Sequence, residues 1–264
     1  MKFLSTSAEP DETSAEILSE SKRILNAAAE NQVTIRLMGA SAIATHSPRF
    51  AYLLKEVGRK LTDLDFMANS KDFDRVKQLL GALGYQPMRT IQMMMGSVGE
   101  RSIYVHAAKG LHVDVFFDQL KMSHTIDFRK RLNADPLTIS LADILLEKMQ
   151  IVRINEKDII DTIVLLSEHE IGNNDNDTVN ADYISNLLSK DWGFYYTATT
   201  NLGKIKDRLT TYPCLTKENV ENVRRKIDAL LQEIDSRPKS SSWKFRAKVG
   251  TRKQWYDDVE EAVR

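Results

Sequence analysis

Two aspartates stand two residues apart in the stretch LTDLDFMA at 61–68, and a third stands between Val113 and Val115 in LHVDVFF. In an extended strand, side chains two apart share a face, so Asp63 and Asp65 project together while Leu64 and Phe66 turn the other way. Neighbouring carboxylates repel unless a cation lies between them. Mg²⁺ takes oxygen ligands, commonly one or two carboxylates together with substrate phosphates. On the pair alone, a half-exposed edge strand with two solvated aspartates is the simpler reading. Asp114 weighs against it, because a lone carboxylate in an apolar strand is costly unless paired, hydrogen-bonded or metal-bound. Asp118, at the end of that strand, reads as a turn or cap residue.

A further element is Gly39-Ala40-Ser41, which follows the β-rich run VTIRLMG and precedes SAIATH. A strand that enters a small-residue turn at a helix start presents backbone N–H groups and a hydroxyl, a natural phosphate cradle. Alone, such a turn is only a turn. Lys148, on a helix among apolar neighbours, and Lys157, at the start of the next helix, read from the residues alone as snorkelling or as surface ion pairs. Arg59 and Lys60, ahead of the acidic strand, either meet phosphates or face solvent, the expected outcome. The histidines 46, 106, 112, 124 and 169 show no metal-ligand spacing, although His112 shares the face of Asp114 two residues on.

The elements that must position these residues follow from periodicity. A helix is predicted over 14–31, then the strand into Gly39, the strand at 61–68 and a helix over 73–83 with Phe73, Val76, Leu79, Leu80 and Leu83 on one face. An irregular stretch with three methionines at 93–95 follows. RSIYVHA and LHVDVFF, separated by Ala108-Lys109-Gly110, read as a hairpin. After Pro136 helices dominate: LTISLADILLEKMQIV behind a Ser140 cap, NEKDIIDTIVLLSEHE started by Asn155, then about 180–189, 193–208 and 217–235. The boundary is placed between Leu132 and Leu137. The expected division is a lead-in over 1–12, an α/β domain over 13–134 and a helical domain over 135–264.

In chain order the pattern is strand, Gly-x-Ser turn and helix, then an Asp-x-Asp strand, then a hairpin carrying Asp. At these residues the sequence resembles the nucleotidyltransferase superfamily of β-polymerase-like fold. LMGAS, LTDLDF and LHVDVF stand in the order and sense of its glycine turn, its acidic strand and its later acid. Ala40 departs from the second glycine or serine of many members. The gap from Ser41 to Asp63 is longer than in minimal members and is similar to the abortive-infection and antibiotic-modifying branches. The EKMQIVRINEKD segment and helical tail are also similar to bacterial nucleotidyltransferase-like proteins.

The core resemblance spans roughly residues 33 to 118. It implies an α+β fold, a mixed sheet with flanking helices followed by a helical C-terminal domain. It implies Mg²⁺ or Mn²⁺ on Asp63, Asp65 and Asp114, and a nucleoside triphosphate gripped at Gly39, Ala40 and Ser41 with Lys148 and Lys157 reaching towards it. The implied reaction moves a nucleotidyl group to a hydroxyl on a small molecule, a protein or an RNA end. Two other readings stay open: a non-catalytic nucleotide- or RNA-binding module on the same fold, and the toxin of a toxin–antitoxin pair.

Composition restrains rather than selects. In 264 residues, 37 Lys and Arg balance 37 Asp and Glu, so no global field steers the chain to nucleic acid or an acidic membrane. Cys214, the single cysteine, has no disulfide partner within the chain. No apolar run reaches the ~18 residues of a membrane span, and the acidic, Ser/Thr-rich start lacks a signal-peptide core; a reducing cytoplasm is expected. One local excess remains. From Arg237 to Lys253 there are seven cations and no acid, interleaved with Trp243 and Phe245 and followed by Trp255 and Tyr256. Such a segment either packs its aromatics on the protein, the expected outcome, or contacts RNA through phosphates and stacked bases.

Overall fold

The computed structural model describes residues 12–88 and 101–259; the expected lead-in, apart from Glu12, and the methionines 93–95 lie outside the described residues. The chain is a mixed α+β structure that divides into two compact units, 1–120 with 127–140, and 121–126 with 141–264.

The first unit opens with α1 (Glu12–Glu30), whose apolar stripe buries Ile17, Ile24, Leu25 and Ala28. β1 (Ile35–Met38) runs directly into α2 (Gly39–His46), and α3 (Tyr52–Glu56) leads to β2 (Leu64–Ala68). α4 (Phe73–Ala82) follows, then β3 (Gln86–Pro87), β4 (Arg101–His106) and β5 (Leu111–Phe117). β6 (Gln119–Lys121) and β7 (Thr125–Asp127) pair as a small ribbon. The main sheet has the order β1-β2-β5-β4-β3, with β2 and β5 parallel and its other pairs antiparallel. β2 begins at Leu64, three residues later than the expected start at Leu61. Its partner β1 ends at Met38, opposite Asp65, and turns away into α2, so residues 61–63 have no strand on that side.

Residues directly opposite on neighbouring strands share a face. One face carries Ile35, Leu37, Leu64, Phe66, Ala68, Val113, Val115 and Phe117, all buried, and forms the core under α1 and α4. Phe73 of α4 meets Phe117 there, with ring centroids 5.1 Å apart. The opposite face carries Arg36, Met38, Asp65, Arg101, Ile103, His112, Asp114 and Phe116. Both edges are covered or short. Leu37 exchanges backbone hydrogen bonds with Leu137 and Ile139 across the outer side of β1, and β3 at the far edge is two residues ending in Pro87.

The second unit holds α5 (Leu141–Met149), α6 (Glu156–Glu168), the parallel strands β8 (Glu170–Gly172) and β9 (Thr178–Asn180), α7 (Ala181–Leu188), α8 (Trp192–Arg208), α9 (Lys217–Ser236) and α10 (Ser241–Val249). Asn155 caps α6 as expected, its side chain accepting from the Lys157 and Asp158 amides. The segment after α9 packs on α8. Trp255 Nε1 donates to Thr197 Oγ1 at 3.1 Å, Trp243 meets Tyr195 edge-on, and Arg246 lies over the Trp192 ring. Phe245 alone among these aromatics stays in water, 73% exposed. Among the described residues no helix is long and apolar enough to cross a membrane.

Glu20 fastens α1 to the sheet. It is buried, accepts from Arg23, from Tyr85 at 2.9 Å and from Lys109 at 2.7 Å, and so ties three distant segments together. Burial would raise its pKa, but those three donors hold it down at about 2. A carboxyl whose pKa is lower folded than unfolded stabilises the native state above the unfolded value, and this is lost as pH falls through the folded value. We therefore expect stability to decline between about pH 4.5 and about pH 2, with Glu20→Gln flattening that decline and costing about 1–3 kcal/mol at neutral pH. Urea melts at several pH values read both. A second expectation concerns Gly193, where an added Cβ would lie 2.3 Å from the Trp255 carbonyl oxygen. Ala in place of Gly in an open helix stabilises by about 1 kcal/mol. Here Gly193→Ala should instead lower Tm and expose Trp255 to a fluorescence quencher; an unchanged Tm would show that the tail does not dock this closely.

Candidate functional site

The polar face of the main sheet gathers the residues whose chemistry stands out in the sequence. Parallel pairing sets Asp65 directly opposite Asp114, and antiparallel pairing sets Met38 opposite Asp65 on the other side. Neighbouring strands lie about 4.8 Å apart, so the two carboxylates stand side by side, next to the residue that enters the glycine turn. Gly39 has φ +69°, a left-handed conformation that favours glycine, and lets the chain leave β1 and begin α2 at once. Met38 gives α2 no side-chain cap. Ala40 is half-buried in its first turn.

Ser41 does something different from gripping a ligand with its hydroxyl. It is buried, and its Oγ donates to the Asp63 carbonyl oxygen at 3.3 Å. The glycine turn and the acidic segment are thereby joined across 22 residues of sequence. Asp63 sits one residue before β2 and is half-buried; its carboxylate accepts from Thr62 Oγ1 at 3.0 Å.

Asp114 is 3% exposed and forms an ion pair with Arg101 of the adjoining strand. Arg101 also lies over the Phe116 ring, 5.0 Å from its centroid, which fixes the guanidinium between ring and carboxylate. The sequence reading did not single out Arg101. The hairpin register contains the signal: pairing His106 with Leu111 puts Ile103 opposite Asp114 and Arg101 on the same face, one step along. His112 shares this face, half-buried. Asp118 occupies a turn, with φ +60°, and its carboxylate accepts from the Ser70 amide at 2.9 Å.

The two lysines belong to the second unit. Lys148 is buried between Asp158 at 3.2 Å and Asp161 at 3.1 Å. Burial acts to lower its pKa, but Asp161 and the neighbouring acids outweigh this and raise it above the usual lysine value. Its charge thus serves the junction of α5 and α6. Lys157, in the first turn of α6, is exposed. Cys214 is half-buried and in no disulfide.

Among the described residues no group of three or more His, Cys, Asp or Glu side chains is placed to hold a metal ion. The donor chemistry nonetheless fits a smaller role. Two carboxylates in one short segment, with phosphate or water completing the shell, suit Mg²⁺, which seldom uses an all-protein cage. Asp114, engaged by Arg101, sits beside that pair rather than completing a closed three-acid cluster.

No protein-family model matches the chain, and the search of curated proteins gave no match.

Removing Arg101 leaves Asp114 buried next to Asp65 without its guanidinium. Arg101→Met should destabilise the fold by about 2–4 kcal/mol, and adding Asp114→Asn to it should recover a large part. Chemical denaturation of the two single variants and the double variant measures the coupling; additive losses would mean that the pair is incidental.

Proposed function

We propose that the chain is a Mg²⁺-dependent nucleotidyltransferase in which an acceptor hydroxyl attacks the α-phosphorus of a nucleoside triphosphate, taking the nucleotidyl group and releasing pyrophosphate. The first unit is read as a nucleotidyltransferase-type sheet and the second as its helical companion. The observation that carries this reading is the alignment of Met38, Asp65 and Asp114 across three strands, with the Gly39 turn leaving the first of them.

In this reading Asp63 and Asp65 hold the ion, Mg²⁺ or Mn²⁺, which supplies charge neutralisation at the phosphates when bound. Backbone N–H groups at the Gly39–Ala40–Ser41 start of α2 meet phosphate oxygens, as helix N-termini do. Ser41, through the Asp63 carbonyl, keeps the acidic segment against that helix start. Asp114 orients the acceptor hydroxyl and takes its proton, and Arg101 sets the carboxylate's position. Lys148, buried between two aspartates, is left out of this reading, and Lys157 is an exposed cation of the second unit.

The Arg101–Asp114 ion pair favours a second reading, a nucleotide-binding module that performs no transfer, because it draws one acid of the set into a structural contact. A toxin acting on a cellular target would share the first reading's chemistry. Incubation with each α-labelled nucleoside triphosphate, Mg²⁺ and cell extract should move label onto an acceptor, and Asp65→Asn should cut this by roughly a hundredfold or more. Saturating nucleotide with Mg²⁺ should also raise Tm, by the equivalent of about 2.7 kcal/mol at a hundred times Kd. A shift without label transfer selects the binding module, and neither signal with any nucleotide refutes both.

A further inference from the structure

The basic stretch at 237–253 is not one surface. Three of its seven cations are used internally. Arg237 pairs with Asp182 and with Glu233. Lys239 donates to the carbonyls of Ile234, Asp235 and Arg237 and lies over the Tyr195 and Trp243 rings. Arg246 donates to the carbonyls of Gly250, Lys253 and Gln254 and covers Trp192. The remaining four, Lys244, Lys248, Arg252 and Lys253, are exposed, and no acidic side chain pairs with any of them among the described residues. Arg252 donates to the Lys248 and Val249 carbonyls, which keeps it at the end of α10 and in line with the helix.

The aromatics divide the same way. Trp243, Trp255 and Tyr256 are half-buried, and the two tryptophans pack on Tyr195 and Tyr196 of α8. Phe245 is 73% exposed, between Lys244 and Lys248 in sequence and on the side of α10 away from Trp243. Residues three or four apart on a helix are neighbours, so Lys248 lies beside both Phe245 and Lys244 on this exposed side. A large apolar ring in water, framed by cations with no counter-charge, matches the two needs of an unpaired nucleic-acid strand. The cations meet phosphates, and the ring offers a flat surface to a base. An acidic peptide would use the cations and leave the ring without a purpose. Duplex would hide its bases from it.

We propose that the outward face of α10 and the turn after it bind single-stranded nucleic acid, with Phe245 as the stacking platform and Lys244, Lys248, Arg252 and Lys253 as phosphate contacts. This stands independently of nucleotidyl transfer. The test is fluorescence anisotropy of the full chain with a labelled uridine 20-mer at several salt concentrations. Wild type binds at about 50 mM salt with an affinity that falls steeply as salt rises. Changing all four cations to Gln removes close to 3 from the slope of log affinity against log salt, at about 0.7 per phosphate contact on a single strand. Phe245→Ala weakens binding roughly five- to a hundredfold without changing the slope or Tm, and Phe245→Tyr restores it. The proposal is overturned if the 20-mer does not bind at low salt. It is equally overturned if Phe245→Ala binds like wild type, or if a duplex or polyglutamate binds as well as the strand.

Discussion

The parallel pairing of β2 with β5 is the constraint on which the polar face depends. It levels Asp65 with Asp114, while the antiparallel β1 brings its last residue to the same level from the opposite direction. A slip of one residue between the two strands would turn one of these aspartates into the core and its apolar neighbour onto the polar face. The register is held from the other side of the sheet, where Leu37, Phe66 and Val115 lie in one row at 0% exposure. Apolar packing therefore sets the position of the acids, and the acids contribute repulsion that the sheet must absorb. Arg101, clamped by Phe116, is one means of absorbing it.

Other buried charges are handled by the same logic. Glu20, Lys148 and Lys226 are each almost fully removed from water, and each meets partners from another element, the next helix for Lys148 and elements distant in sequence for the other two. Lys226 donates to the Leu166 carbonyl at 2.9 Å and pairs with Glu170 at 3.0 Å, joining α9 to the end of α6 and to β8. Such groups are costly to bury unless their geometry is satisfied, so each one rejects packings that would leave it unpaired. In both units, placement between neighbouring elements is thus specified by polar contacts as well as by apolar volume.

The legible parts of the sequence were those written in local periodicity or in turn chemistry. The helix at 217–235, the hairpin across Gly110 and the Asn155 cap each depend on residues within a few positions of one another. The glycine turn and Asp-x-Asp spacing were legible too, though their juxtaposition is a matter of strand order. What escaped depends on register between segments that periodicity does not link. The Arg101–Asp114 pair needs a hairpin register, and the Ser41 bond to Asp63 needs two elements to close on each other. The short strands β6 to β9 lack enough residues to show alternation. The basic tail looked uniform because composition counts cations without asking which carbonyls and rings they already serve.

The strip at 137–139 that lies along β1 carries a consequence for synthesis. Until those residues leave the ribosome, a nascent first unit holds β1 with its outer hydrogen-bonding edge bare, and an exposed edge recruits strands from other chains. Arg36, which reaches the Asp135 carbonyl at 2.6 Å, and His46, which reaches Thr138 at 2.7 Å, then draw the late segment into place. The unit is thus sealed by its own exit segment, and the interval before sealing is the period in which a slowed ribosome would leave this protein most prone to associate with its neighbours.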